Sequence, residues 1–290
     1  MLVDPRSAGP RPPFPKQKQP MPGKTAALDP QPDHGEESYE GFNRLEGCAA
    51  IVTGGDSGIG RAICIAFARE GADVLISYLS EHEDAEETAK WVRKTGRKAV
   101  LVPGDVGDEQ HCRDLVKRCV QDLGRLDILV NNAAFQATHE KLEDFTSEEI
   151  AHTFRTNIES MFFLAREAAS HMKPGGSIVN TTSIQADHPS PQLLAYATTK
   201  GAIANFTAGL AQLLAKDGIR VNAVAPGPIW TPLIPSTMPA EKASKFGSDT
   251  PLGRPGQPAE LAPAYVFLAS NQATYINGAV LPVTGGKPML

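Results

Sequence analysis

The stretch GCAAIVTGGDSGIGRAICIAFAREG, residues 47–71, decides the fold. Its first half is a short apolar run ending in glycines, the pattern of a strand buried on both faces of a parallel sheet. From Gly58 the apolar residues recur at helical spacing until Gly71 closes the helix. Between the two lies Thr53-Gly54-Gly55-Asp56-Ser57-Gly58-Ile59-Gly60. Glycines let the chain turn sharply and bring bare backbone N–H groups to a helix N-terminus, where the dipole favours an anion such as a pyrophosphate. Glycines also make ordinary turns. The strand-loop-helix context, in the first βα unit of the chain, is what favours a phosphate-binding loop here.

The alternation continues outward. Residues 72–78, 98–106, 126–134, 175–183, 219–227 and 277–286 read as further short strands. Residues 81–96, 109–124, 147–172, 193–216 and 258–270 read as helices. Strand and helix alternating throughout predict an α/β fold: a single doubly wound parallel sheet of Rossmann type, with helices on both faces. No internal repeat or linker interrupts residues 45–290, which are expected to form one dinucleotide-binding catalytic domain. Residues 1–44 differ. They are crowded with proline, poor in aliphatics and unable to build a core. A disordered tail and an extended arm anchored by Phe14, Met21, Leu28, Tyr39 and Phe42 are both compatible with that composition.

Composition bounds the function. With 41% hydrophobic and 21% charged residues and a net charge of −5, the chain has no basic stripe for nucleic acid. No apolar run approaches the ~20 residues that span a bilayer, and the N-terminus lacks the apolar core of a secretory signal. Cys48, Cys64, Cys112 and Cys119 form neither a Cys-x-x-Cys pair nor a metal-ligand spacing. They read as small buried hydrophobes in a reducing cytoplasm. The seven histidines include no His-x-x-x-His pair, so no metal site is expected.

Tyr196 and Lys200 stand four apart on the helix expected over 193–216, hence on one face and one turn apart. A unit charge ~4 Å from a phenol at an effective dielectric near 20 contributes about 4 kcal/mol, roughly three pKa units. That would bring the phenol towards neutrality and make it a general acid or base. Ser183, just past the strand of residues 175–183, is placed to point at the same spot. A surface Tyr and Lys on an ordinary amphipathic helix is the alternative reading of the pair alone.

Thr-Gly-x-x-x-Gly-x-Gly at 53–60, Asn131-Asn132-Ala133-Ala134, Ser183 and Tyr196-x-x-x-Lys200 together resemble the short-chain dehydrogenase/reductase family. The likeness covers residues 45–286, with Ala134 where the family usually has glycine. The segments PPFPKQKQPMPG and DPQPDHGEESYEG resemble the N-terminal extension of a bacterial glucose/ribitol-dehydrogenase-like subgroup. The resemblance implies an NAD(P)-dependent oxidoreductase that moves a hydride between nicotinamide and a small carbonyl or alcohol. Tyr196 would be its acid/base, Lys200 its modulator and ribose ligand, and Ser183 the residue that orients the substrate. Asn157 would hold a water on a proton path beneath Lys200. It further implies cofactor contacts from Thr53, Gly54, Asp56, Ser57, Gly58, Ile59 and Gly60. Others would come from Ser77, Tyr78, Asp105, Val106, Asn132, Ala133, Ala134, Pro226, Gly227, Ile229 and Thr231.

The end of the second strand reads Ile76-Ser77-Tyr78-Leu79, without the acid that usually binds an NAD ribose or the base that usually attracts an NADP phosphate. Use of both NAD and NADP is expected, with a lean to NADP. The interval 228–254 takes the place of a substrate lid, offering Trp230, Leu233, Ile234, Met238 and Phe246 to close over a ligand. Phe135, Gln136, Gln185 and His188 are expected to flank the pocket, with His188 better read as an exposed loop histidine. A non-catalytic dinucleotide sensor or scaffold on the same fold is the rival reading, and it would be expected to lose at least one of Ser183, Tyr196 and Lys200. Epimerisation or dehydration would want another acid near the tyrosine, and Asp187 is the one nearby. A cytoplasmic homotetramer paired through the helix at 193–214 and the C-terminal segment, with the arm crossing onto a neighbour, completes the expectation.

Overall fold

Seven strands lie side by side in the order β3-β2-β1-β4-β5-β6-β7, every neighbouring pair parallel. They are β1 (Ala49–Thr53), β2 (Asp73–Tyr78), β3 (Ala99–Pro103), β4 (Ile128–Asn131), β5 (Ser177–Thr181), β6 (Arg220–Pro226) and β7 (Val280–Val283). This computed structural model describes residues 3–289; Met1, Leu2 and Leu290, at the outer ends of the expected arm and domain, lie outside the described residues. The strands of the sheet centre are fully buried, which is why they read as unbroken apolar runs.

Side chains of β1 alternate between two cores. Ala50 and Val52 pack with α1 (Gly58–Arg69), α2 (His82–Lys94) and α9 (Pro258–Ala269). Ala49 and Ile51 face the other way, against α3 (Glu109–Leu123), α5 (Ser160–His171) and α6 (Leu194–Leu214). Strand order reverses between β1 and β4, where Ala50 lies opposite Val74 on one side and Ile128 on the other. A crevice opens at such a switch point beyond the carboxyl ends of the strands.

The helical region expected over 147–172 is divided. α4 (Ser147–Phe154) and α5 flank a π-helical turn at Arg155–Glu159, whose wider turn sets Asn157 facing inward with no exposed surface. The interval expected as a lid carries two short helices, α7 (Leu233–Thr237) and α8 (Ala240–Ser244).

From residue 3 to 44 the chain is an extended arm that packs along the domain. A third apolar cluster joins Phe14 and Leu28 of the arm to Trp230, Ile234 and Ala243. The Phe14 and Trp230 rings lie 4.6 Å apart, and Trp230 Nε1 donates to Pro30 O at 2.8 Å. Tyr39 donates to buried Glu70 at 2.7 Å. Met21 and Phe42, expected as anchors, are instead exposed: Met21 borders the crevice, and Phe42 lies beneath the Arg44 guanidinium.

Candidate active site

Tyr196 and Lys200 share one face of α6, with the ammonium 5.1 Å from the phenol ring centroid. Lys200 is buried and donates from Nζ to Thr181 O at 2.8 Å, its one hydrogen-bond acceptor among the described residues. Burial alone pulls the ammonium down to about 7. Tyr196 is half-buried and lines the cleft; burial pushes the phenol up to about 12, with the Ser183 hydroxyl drawing it down. The expected depression of the phenol by the lysine is therefore absent from the protein by itself. The ammonium is turned to the end of β5, and burial sets the direction of the phenol's shift.

Ser183 stands two residues past β5 and caps the short 3₁₀ turn Ile184–Ala186, accepting from Gln185 N at 3.1 Å. Thr181 ties the centre together. Its carbonyl holds Lys200, and its hydroxyl pairs with the Tyr265 hydroxyl of α9 at 2.8 Å. Asn157 sits behind these groups and does not face the crevice. Its Oδ1 accepts from Phe135 N at 2.7 Å, and its Nδ2 donates to Phe135 O at 2.9 Å and Thr199 Oγ1 at 3.0 Å. Through these bonds the amide clasps the loop after β4 to α6.

The crevice is a cleft of about 530 Å³ that runs from the glycine loop to Tyr196. Along it lie Gly54, Asp56, Ser57, Gly58 and Ile59 of the loop, Ser77 and Tyr78 of β2, and Asp105 and Val106 after β3. Asn132, Ala133 and Ala134 line it, as do Ser183, Tyr196, Lys200, Pro226, Gly227, Ile229 and Thr231. Thr53 and Gly60, expected as contacts, do not. The Thr53 hydroxyl accepts from Asn132 N at 2.9 Å and Ala133 N at 3.0 Å, so it braces the β4 loop. Gly60 permits a close approach: a Cβ there would stand 1.8 Å from Gly54 O. Asn132 Nδ2 closes the same turn by donating to Thr53 O at 3.0 Å.

Comparison with known proteins agrees with this architecture. The family model described as enoyl-(acyl carrier protein) reductase matches residues 54–287. General stress protein 39 of Bacillus subtilis (strain 168) is 53% identical over 267 residues, 92% of this chain and 93% of its own. The glucose and ribitol dehydrogenase of Daucus carota is 48% identical over 280 residues, covering 94% and 96%. A crystal structure of a short chain dehydrogenase from Burkholderia cenocepacia J2315 in complex with NADP superposes with a TM-score of 0.79 at 35% identity, over 84% of this chain and 98% of that one. The chain belongs to the short-chain dehydrogenase/reductase family. It is an oxidoreductase.

For a short-chain dehydrogenase, the donor set of the cleft fits a dinucleotide on two observations. Ser77 Oγ, at the end of β2, is buried without a protein partner, and Lys200 retains N–H groups beyond its bond to Thr181. The loop is latched to that strand end by Gly55 N donating to Ser77 O at 3.0 Å. Two carboxyls line the same corner: Asp56, which burial pushes up to about 6, and Glu81. Glu81 lies two residues beyond Leu79, outside the strand end where sequence places such an acid. Thr181 and Thr182 also line the cleft and carry no sequence signal beyond following an apolar run.

The interval 228–254 of this short-chain dehydrogenase is only partly as expected. Leu233, Ile234, Met238 and Phe246 reach the cleft, whereas Trp230 is fully buried beneath the arm. Phe135, Gln136 and Gln185 line the cleft. Gln136 donates to Thr237 Oγ1 at 2.7 Å, which ties α7 to the loop after β4. His188 stands apart on the exposed loop, near Pro288 O at 2.9 Å. The cysteines are unpaired as expected, although Cys48 is only half-buried.

Proposed function

We propose that this oxidoreductase interconverts a small carbonyl and its alcohol (an aldehyde, ketone, sugar or polyol), with Tyr196 exchanging the proton and NADP or NAD as cofactor. The observation that carries the reading is the Tyr196 hydroxyl beside Ser183 in the same cleft that the glycine loop lines. Bound nicotinamide supplies or takes up the hydride. In the reducing direction Tyr196 donates its proton to the substrate oxygen, and Ser183 holds that oxygen by a hydrogen bond. Lys200 is positioned to bind ribose hydroxyls and to compensate negative charge developing on the phenol. Asn157 keeps the Phe135 backbone, one wall of the substrate end, at fixed distance from α6. The relative named glucose and ribitol dehydrogenase supports a polyol or sugar substrate.

Asp56 and Glu81 repel a 2′-phosphate, so the preference for NADP suggested by the Burkholderia complex is expected to be modest. Comparing kcat/KM for NADPH and NADH with a panel of aldehydes, sugars and polyols tests this. Activity with both and a lean to NADPH is the expected result, and a preference above about a hundredfold for NADH would overturn it.

In this proposal residues 45–290 act as one catalytic domain with 228–254 as its lid, served by the arm of residues 1–44 and working in the cytoplasm. No described helix is long and apolar enough to cross a membrane. A homotetramer is proposed on the apolar surface of α5 and α6, where Phe162 and Leu213 are exposed and the tilted Phe162 and Phe206 rings lie 4.5 Å apart. Light scattering at micromolar concentration is expected to give four times the 30.9 kDa chain mass; a monomer mass would reject it.

A further inference from the structure

The two lips of the cleft are bridged by a piece of the N-terminal arm, outside the glycine loop and the Tyr196-x-x-x-Lys200 motif. One lip is the lid, where the Pro235 carbonyl accepts from Gln19 N at 3.0 Å. Nearby, Gly23 lies so close to Pro232 that a Cβ would stand 2.4 Å from its carbonyl oxygen. The other lip is the start of α2. There the Thr25 N–H donates to Asp84 Oδ2 at 3.0 Å in a buried bond. Asp84 in turn accepts from Arg61 at 3.0 Å, and Arg61 Nε donates to the Asp56 carbonyl of the glycine loop at 3.0 Å. Between these fixed points Met21, Pro22 and Gly23 line the cleft itself.

We propose that residues 19–25 of the arm are part of the dinucleotide site, a strap that spans the cofactor mouth at its pyrophosphate corner and retards release of the bound nucleotide. The location follows from adjacency. Gly58 opens α1, the helix end that favours a phosphate. A Cβ at Gly58 would meet the Thr231 side chain at 3.0 Å and Pro232 at 3.8 Å. Gly23 then lies against the carbonyl of that same Pro232. The strap is thus one residue removed from the groups that face the pyrophosphate. Its attachment through Asp84 and Arg61 also couples it to the loop carbonyl of Asp56. A ligand seated on the glycine loop is therefore covered by Met21 and cannot leave along that path until the bridge between lid and α2 parts.

This inference rests on the reading of the cleft as a dinucleotide site, and its test separates the two. In the full-length chain, NADPH affinity is measured by fluorescence titration and its release by stopped-flow displacement. The wild type is compared with Met21→Glu, Gly23→Ala and, as a control of equal charge change on exposed arm surface, Val3→Glu. Met21 is 51% exposed and Val3 is 72% exposed, so neither carboxylate is forced into a core. Met21→Glu is expected to raise Kd by about tenfold and to speed release, because like charge is set beside the pyrophosphate. The thermal midpoint of the ligand-free protein should not move. Gly23→Ala wedges the strap off Pro232 and is expected to speed release in the same sense. Val3→Glu should match wild type. Binding by Met21→Glu within about twofold of wild type, with unchanged release, overturns the strap and leaves the dinucleotide reading intact. No NADPH binding by the wild type overturns the dinucleotide reading itself, and the strap falls with it.

Discussion

Replacement of Tyr196 by phenylalanine is expected to lower kcat/KM for carbonyl reduction by about 10³-fold, within the range that a positioned general acid contributes. NADPH binding should persist within about twofold. The two readouts separate because of where the groups sit. The phenol hydroxyl lies at the substrate end beside Ser183, whereas the glycine loop, Ser77 and Thr231 line the remainder of the cleft. Removing one oxygen leaves the ring, which fills the same space on α6, so the fold should be unperturbed. A loss shared by kcat and kcat/KM marks an interaction made in the transition state; a rise in KM alone would indicate a binding role. Direction matters as well. Because burial holds the phenol near 12 in the protein by itself, the proton-donating form persists through neutral pH. Reduction should accordingly show no tyrosine-dependent fall below about pH 9, while alcohol oxidation, which needs the deprotonated phenol, should rise with pH. Retention of substantial turnover by Tyr196→Phe would leave the dinucleotide-binding fold standing and remove the proton chemistry from it.

The parts of the molecule that were legible in the sequence are those set by local rules. Each central strand is buried on both faces and so reads as an apolar run, and β1 could be placed from Ala49–Thr53 alone. Tyr196 and Lys200 share a face because helical geometry demands it. What stayed hidden depends on distant partners. Lys200 turns to the Thr181 carbonyl, a choice made by β5 and not by α6. Asn157 is aimed inward by a π-turn that no propensity marks. Trp230 looks like a lid aromatic until the arm is laid over it, with Phe14 on its ring and Pro30 on its N–H. The arm itself has few aliphatics and no periodicity. It lies on the domain through single anchors, Phe14, Leu28 and Tyr39, spaced too widely to show a pattern.

A protein carrying Lys200→Met should be inactive yet more stable than wild type at pH 6, by ~3 kcal/mol in the ligand-free state. The ammonium is among the largest fully buried side chains, and it has one carbonyl acceptor. Its folded value lies near 7 against an ordinary 10.5, with burial as the sole cause. The sign follows from proton counting. Below pH 7 both folded and unfolded chains hold the proton, and the folded state bears the whole cost of the buried charge. Between 7 and 10.5 the unfolded chain binds more protons than the folded one, so stability rises with pH. Above 10.5 the lysine is neutral in both states and the cost has gone. At 1.36 kcal/mol per unit, a shift of this size corresponds to roughly 4–5 kcal/mol, from which losing the bond to Thr181 O removes about 1. Urea midpoints for wild type and variant should therefore differ most at pH 6 and converge by about pH 10. NADPH should narrow the gap at pH 6, since a nucleotide that offers hydroxyl acceptors to the ammonium stabilises wild type more than the methionine variant. A variant no more stable than wild type at pH 6, or a gap that widens as pH rises, would mean that Lys200 is not held at a cost to the fold. Such a cost is what a binding group shows when its partners arrive only with the ligand: the protein gives up stability so that a desolvated cation stands ready where the nucleotide's ribose is expected to lie.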